Sequence, residues 1–170
     1  EKQMGLMKEE ELDPDRVGWM LNKAGLSYKN IKIFHIAGAK GKSSTTLYLS
    51  HLLIYAGKRR VGLYTSPHLF KINERIQLNG RAIKDSEFSR LVESYKGFIE
   101  NIREKFVPTY FDVLTFLLMA YFIQKRCDFI VLEVRPGGRL DSTNFCKPLF
   151  SIITSIGYDH TDILGKTLEK

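Results

Sequence analysis

Cysteine is scarce. Cys127 and Cys146 are the only two in the chain, too few for a disulfide framework and without metal-ligand spacing. The sequence therefore predicts reduced thiols and a cytoplasmic protein. Long hydrophobic runs are missing as well. The most apolar stretch, "YFDVLTFLLMAYFI" at 110–123, falls short of the roughly 20 residues of a membrane span. It contains Asp112 and predicts a buried helix, so no membrane partner is expected. The opening "EKQMGLMKEEELDPD" is polar and of mixed charge, unlike a signal peptide. Residue 1 is Glu rather than Met, so something upstream is expected to have been removed or omitted. There is no repeat, no low-complexity segment and no Pro/Gly/Ser-rich linker, which leaves a single domain. Tight basic clusters are few: the net charge is +7, yet only "GKRR" at 57–60 concentrates it. A dedicated nucleic-acid binder would cluster its charge and interleave aromatics. The excess charge predicts an anionic partner (nucleotide, acidic substrate, nucleic acid or membrane surface) without choosing among them, and its dispersal makes a nucleic-acid partner unexpected.

What is present is 44% hydrophobic residues, enough for a sizeable core. Their periodicity alternates between strand and helix. "DRVGWMLNKAGL" at 15–26 places Val17, Met20 and Leu21 on one helical face, between Pro14 as a start and Gly25 as a stop. "IKIFHIA" at 31–37 predicts a strand, "SSTTLYLSHLLIYAG" at 43–57 a helix, and "RVGLYTS" at 60–66 a second strand. That is a βαβ unit, the building block of parallel sheets covered by helices. "INERIQLNGRAI" at 72–83 predicts a small β-hairpin about Asn79-Gly80. Residues 84–106 form an amphipathic helix, capped at Asp85 or Ser86, with Phe88, Leu91, Val92, Tyr95, Phe98, Ile99 and Ile102 inward. A buried helix at 109–125 and strands at 128–134 and 149–156 complete an α/β fold, a mostly parallel sheet flanked by helices.

In such sheets ligands sit at the carboxyl ends of the strands. Gly38, Ser66, Glu133 and His160 lie at or just past four strand ends, and the fold brings them to one edge. The loop "GAKGKSS" at 38–44 fails the full G-x-x-x-x-G-K-[ST] pattern, because Ile36 stands where the first glycine belongs. It keeps Gly41-Lys42-Ser43. Glycine lets backbone approach phosphate, amides open the helix, Lys42 neutralises charge, and Ser43 or Ser44 offers a hydroxyl. The plainer alternative is a tight turn with a solvated lysine. Glu133 ends an apolar strand, where a carboxylate needs a partner: a magnesium ion, or a salt bridge to Arg135 or Arg139. His35 and His51, inside a strand and a helix, are expected to be structural, whereas His160 follows a strand in a polar loop. "SPH" at 66–68 adds a hydroxyl and an imidazole at the same edge. "PGGRLDSTN" at 136–144 is either a surface connection or a substrate loop using Arg139 and Asp141. No serine sits in a G-x-S-x-G setting, which sets hydrolase chemistry aside.

Five segments, in order, resemble the folylpolyglutamate synthase/dihydrofolate synthase family of the Mur ligase superfamily. They are "HIAGAKGKSST", "VGLYTSPHLFKINERIQLNG", "PTYFDVLTFLLMAYF", "VLEVRPGGRLDSTN" and "ITSIGYDHTDILG". "YTSPHL", "GGRLD" and "DHT" set the chain apart from other Mur ligases. The resemblance implies a P-loop NTPase-like Mur ligase central domain. It implies an ATP-dependent ligase that adds L-glutamate to a folate through an acyl phosphate, with Mg2+, in a monomer. Gly38, Lys40, Gly41, Lys42, Ser43 and Ser44 match the family's nucleotide loop, and Ser66, Glu133 and His160 its metal positions. Lys42, Glu133 and His160 are thereby implied in catalysis. Thr109, Arg139 and Asp141 fall in segments that border the pterin substrate. Dihydropteroate, tetrahydrofolate or both remain open as acceptors.

The chain departs from the family at Ser43, where this branch usually has glycine, and at Lys40, where asparagine is common. The larger departure is Arg135-Pro136 in place of glycine and a small or apolar residue. Arg135 sets a cation beside the implied metal carboxylate, either to weaken metal binding or to contact phosphate, and Pro136 removes a donor. Family members are also much longer. Residues 1–170 are therefore expected to be the N-terminal part of the ATPase domain, an incomplete domain that does not ligate alone. The alternative expectation is a catalytically inactive nucleotide-binding or interaction module derived from this family.

Overall fold

The strand–turn–helix–strand pattern is realised as β1 (Lys32–Ala37), α2 (Lys42–Tyr55) and β2 (Val61–Tyr64). The computed structural model describes residues 13–57, 60–135, 137–158, 161 and 165–167. Before β1 comes α1 (Asp15–Lys23), which starts at Pro14 and buries Val17, Met20 and Leu21. It ends in a Schellman turn: Leu26 N–H bonds the Leu21 carbonyl and Gly25 N–H that of Asn22, with Gly25 at φ +68°. After β2 follow a 3-10 turn (Ile72–Arg75), β3 (Ile76–Leu78), β4 (Arg81–Ala82), α3 (Asp85–Ile102), α4 (Tyr110–Gln124), β5 (Phe129–Glu133) and β6 (Phe150–Ile153).

The six strands form one sheet in the order β4-β3-β2-β5-β1-β6. Strands β2, β5, β1 and β6 are parallel; β3 runs antiparallel to β2, and β4 to β3. The register aligns Ile36 with Glu133 and Ala37 with Ile153, so the loops after β1, β5 and β6 leave from a common edge. Strand alternation divides the core between two faces. Ile33, Tyr64, Ile130 and Leu132 face α1 and α4, in a cluster that includes Phe116, Leu118, Met119 and Phe122. Phe116 also stacks on Phe98 and meets Tyr95 edge-on, which ties α3 to α4. The other face is smaller: Ile36, Val61, Leu63 and Val131 pack against Leu49, Leu53 and Ile54 of α2. No helix among the described residues is long and apolar enough to cross a membrane.

Four expectations change. Residues 72–75 are a 3-10 turn rather than strand, because the Glu74 carboxylate gathers the amides of Leu69, Phe70 and Lys71 and curls the chain. The hairpin is therefore short, though its turn is as expected: Asn79 and Gly80 both have positive φ, and the Asn79 side chain accepts from Val61 N–H. The N-cap of α3 is Lys84 without a side-chain cap, and Asp85 is already helical, where its charge favours the helix N-terminus. Val92 is exposed, outside the stripe that meets α4. Finally, β6 stops at Ile153, because Thr154 and Ser155 turn to hold the loop after β1.

Candidate functional site

The loop after β1 is built on backbone conformations that favour glycine. Gly38 has φ +135° and Gly41 has φ +82°. A Cβ at Gly38 would collide with Thr154 Oγ1, so the close approach of two segments requires glycine. Thr154 donates to the Lys40 carbonyl at 2.6 Å, the Ala39 amide donates to the Ser155 carbonyl at 2.7 Å, and Ser155 Oγ accepts from Lys40 N–H at 3.1 Å. The loop is thus strapped by residues more than a hundred positions away. Gly41 caps α2, whose first-turn amides have no intrahelical acceptors. Lys42 Nζ folds back on the Gly38 carbonyl at 2.6 Å.

Glu133 meets this loop from the end of β5. Its carboxylate is buried and accepts from Ser43 Oγ at 2.7 Å and from Ser66 N–H at 3.1 Å. Burial pushes its pKa above the ordinary carboxylate value, while the Ser43 and Ser66 bonds and the Lys42 and Arg75 charges pull it back. Carboxylate and hydroxyl oxygens are what a hard divalent cation takes, and magnesium keeps several waters besides. The donor set therefore fits Mg2+. Among the described residues no group of three or more His, Cys, Asp or Glu forms a metal cluster.

Arg135 does not pair with Glu133, although only Val134 separates them. Its guanidinium turns to Asp141, with Nη2 3.3 Å from Oδ2, and donates to Ser142 Oγ at 2.9 Å. Its Cζ also lies over the Phe111 ring of α4, 3.2 Å from the centroid. Asp141 in turn accepts from the Thr143 amide and hydroxyl and from Arg135 N–H. Thr143 Oγ1 meets His35 Nε2 at 2.8 Å, and Ser142 meets Thr115. A chain of buried polar groups thus runs from β1 through the loop 137–144 to α4. His35 is structural as expected, and burial holds its pKa below the ordinary value against the opposing Asp141 charge.

The sequence-predicted residues sort clearly. Gly38, Lys40, Gly41, Lys42, Ser43, Ser66 and Glu133 come together at one edge, joined by the contacts above. Ser44 lies in the exposed first turn of α2. Asp141 lies in the second loop. Thr109 caps α4 in a reciprocal box with Asp112. Arg139 is in the exposed part of the second loop, where its carbonyl accepts from Asn144. His160 and Pro136 lie outside the described residues. His51 bonds its own helix at the Leu47 carbonyl, and His68 accepts from Arg75 Nε. Cys127 and Cys146 are free and buried, and burial raises both thiols to about 12, so they are chemically quiet. Sequence reasoning missed Thr154 and Ser155 as straps. Two hydroxyls at the end of an edge strand were the available signal, read instead as more strand.

No family model matches the chain. Relatives do. A dihydrofolate synthase/folylpolyglutamate synthase of Bacillus subtilis is 40% identical over 158 residues, 91% of this chain and 36% of that protein. A folylpolyglutamate synthase complex with AMPPCP and folate superposes with a TM-score of 0.85 at 33% identity, over 92% of this chain and 38% of its own. A bifunctional folylpolyglutamate synthase/dihydrofolate synthase with Mn, AMPPNP and L-glutamate bound gives 0.82 at 38% identity, over 94% and 38%. The chain spans well under half the length of the relatives it matches.

Proposed function

The chain is related to the folylpolyglutamate synthase/dihydrofolate synthase family along nine-tenths of its length, and from that kinship we propose that it supplies the nucleotide- and metal-binding N-terminal part of an ATP-dependent ligase joining L-glutamate to a folate. The observation that carries the reading is the meeting of Lys42, Ser43, Glu133 and Ser66 beside a glycine loop. The nucleotide and metal in the related structures support it.

The proposed reaction has two steps. A folate carboxylate oxygen attacks the γ-phosphorus of ATP, the bond to the β-phosphate oxygen breaks, and ADP leaves with an acyl phosphate formed. The neutral amine of glutamate then attacks the acyl carbon, loses its proton, and inorganic phosphate departs with the C–O bonding pair. A carboxylate is a poor electrophile until that oxygen becomes a phosphate leaving group. Stabilising phosphoryl transfer is mostly positioning and electrostatics. Lys42 leaves the Gly38 carbonyl for the β/γ phosphates, and the α2 amides face the same charge. Glu133, Ser43 and Ser66 would hold Mg2+, which when bound offsets phosphate charge; His160 is proposed with them on the resemblance alone. Thr109, Arg139 and Asp141 border the folate. The acceptor is dihydropteroate, tetrahydrofolate or both, and the setting is the cytoplasm, consistent with two free thiols. The chain by itself is not expected to complete ligation. Arg135, packed into the second loop, favours one other reading, a nucleotide-binding module without catalysis.

Calorimetric titration of ATP with magnesium tests the nucleotide site. The chain is expected to bind, and Lys42→Ala to lose binding while keeping a cooperative thermal transition that shows it folded. Equal binding by both chains would sink the proposal. Glutamate addition by the isolated chain would overturn its expected inactivity.

A further inference from the structure

Arg75 is a buried cation without an anion of its own. The residue is 7% exposed, yet no Asp or Glu among the described residues lies within ion-pair distance of it. Its Nε donates to His68 Nδ1 at 2.8 Å, which fixes the side chain and leaves the two Nη groups as an end-on fork. Those groups have no hydrogen-bond partner among the described residues, and they are not sealed from solvent as the Tyr64 hydroxyl and Arg135 Nε are. The Arg75 charge is felt at Glu133 but not paired with it. A buried cation held this way is unfavourable until an anion meets it. The guanidinium fork is the side-chain group that matches a carboxylate.

Topology says which anion. The carboxyl edge of the sheet presents, in order, the glycine loop after β1, Glu133 of β5, Ser66 after β2 and Arg75 before β3. Thr65 N–H bonds the Arg75 carbonyl and Ser66 N–H bonds Glu133, so Arg75 stands level with the proposed metal residues. Strands lie about 4.8 Å apart, and three such spacings put its backbone roughly 14 Å from the glycine loop. That is across the proposed metal from the nucleotide phosphates. Phosphoryl transfer keeps the attacking and leaving oxygens roughly in line, so the attacking carboxylate enters from the side opposite ADP. The Arg75 fork stands on that side. We propose that Arg75 binds the acceptor carboxylate, the group that becomes the acyl phosphate, holding one oxygen on its Nη fork while the other is turned to the γ-phosphorus. The inference rests on the ligase reading above and goes beyond it by giving the reacting end of the acceptor a residue of this chain. His68 is the positioning residue that holds the fork.

The test uses benzoate and pteroic acid as carboxylate probes, the methyl ester of pteroic acid as the neutral control, and Mg-ATP. They are titrated into the parent chain, Arg75→Met and Arg75→Lys. Benzoate at millimolar concentration is expected to shift the Arg75 Nε–H resonance of the parent saturably. Pteroic acid is expected to bind the parent at least tenfold more tightly than Arg75→Met, and the ester to bind both alike. Arg75→Met is expected to bind Mg-ATP as the parent does and to melt no lower, because it removes a buried charge that has no partner. Arg75→Lys keeps the charge but not the fork; it carries the comparison if Arg75→Met does not fold, and should bind pteroic acid at least threefold more weakly than the parent. Equal pteroic acid binding by parent and variants overturns the assignment and leaves the ligase reading intact. Loss of Mg-ATP binding in the folded variants makes Arg75 a nucleotide residue and overturns it as well. Saturable benzoate binding at Arg75 while pteroic acid binds no chain upholds the carboxylate site and overturns the folate reading. If neither acid binds, both fall.

Discussion

Two glycine-bearing loops leave the same edge of the sheet, and they are held in opposite ways. The loop at 38–41 is laced mainly by neutral hydroxyl and amide groups, with Thr154 and Ser155 gripping its backbone; its one cation, Lys42, rests on a carbonyl rather than on a carboxylate. The loop at 137–144 is held by charge: Arg135 against Asp141, with Thr143 and His35 behind them, all buried or nearly so. A neutral hydrogen bond is worth a net of about 0.5–1.5 kcal/mol, and a charged ligand easily outbids it. Leaving one member of a buried ion pair alone costs about 3–5 kcal/mol. Position and glycine content therefore do not decide how a loop behaves; the charge state of its partners does. Under the proposed function the first loop would trade its internal contacts for phosphate, whereas the buried ion pair holds the second loop against such an exchange.

The largest effect should come from breaking the second loop. Asp141→Asn strands the Arg135 charge and weakens the bonds from Thr143, so urea unfolding should show a loss of about 3–5 kcal/mol. Replacing both partners, as in Arg135→Met with Asp141→Asn, should recover part of it. A loss below about 1 kcal/mol for Asp141→Asn would mean that charge does not hold this loop. A smaller loss is expected in the first loop. Gly38→Ala forces a side chain into positive φ and against Thr154, which should cost about 1–3 kcal/mol. Thr154→Ala should relieve some of the cost, giving a double-mutant cycle with clear coupling, and strictly additive losses would deny that the two segments press on each other.

Most of the scaffold was legible in the sequence, because each element has one dominant period. Ile33, Ile36, Val131 and Leu132 could only belong to strands buried on both faces, and Gly25 and Gly57 mark helix ends as they should. Lys42, Ser43, Ser66 and Glu133 were legible because each lies just past a strand end in a parallel sheet, where topology alone gathers residues. What escaped depends on side-chain choice rather than period. Nothing in "EVRPGGRLD" says that Arg135 prefers Asp141 to its nearer neighbour Glu133; burial, the Phe111 ring and a second hydroxyl decide that in three dimensions. Glu74 turned strand-like residues into a 3-10 turn by local hydrogen bonds that periodicity does not see. Val92 lies outside the stripe of Phe88, Leu91, Tyr95, Phe98, Ile99 and Ile102 through which α3 packs on the core.

The smallest effect, and the one that best separates the two loops, is acid titration. His35 supports the second loop and is buried in its neutral form, so its folded pKa lies below the ordinary 6.5. The unfolded chain then takes up a proton first as pH falls. Its stability contribution is complete above pH 6.5, is lost as pH drops through that value, and levels off below the folded pKa. The slope cannot exceed about 1.4 kcal/mol per pH unit for one proton. Glu133 and Asp112 work the other way: burial raises both, the folded chain protonates first, and stability is gained on acidification toward their ordinary values. Subtracting the profile of His35→Asn from that of the parent isolates the imidazole and should leave a loss that begins near pH 6.5. Amide exchange should speed up over the same window at Asp141–Asn144, which the imidazole reaches through Thr143, and stay unchanged at Gly38–Gly41, whose straps carry no titrating group. Acceleration at both loops would show one cooperative unit at this edge, and the contrast between a neutral, exchangeable loop and a charge-locked one would have to be abandoned.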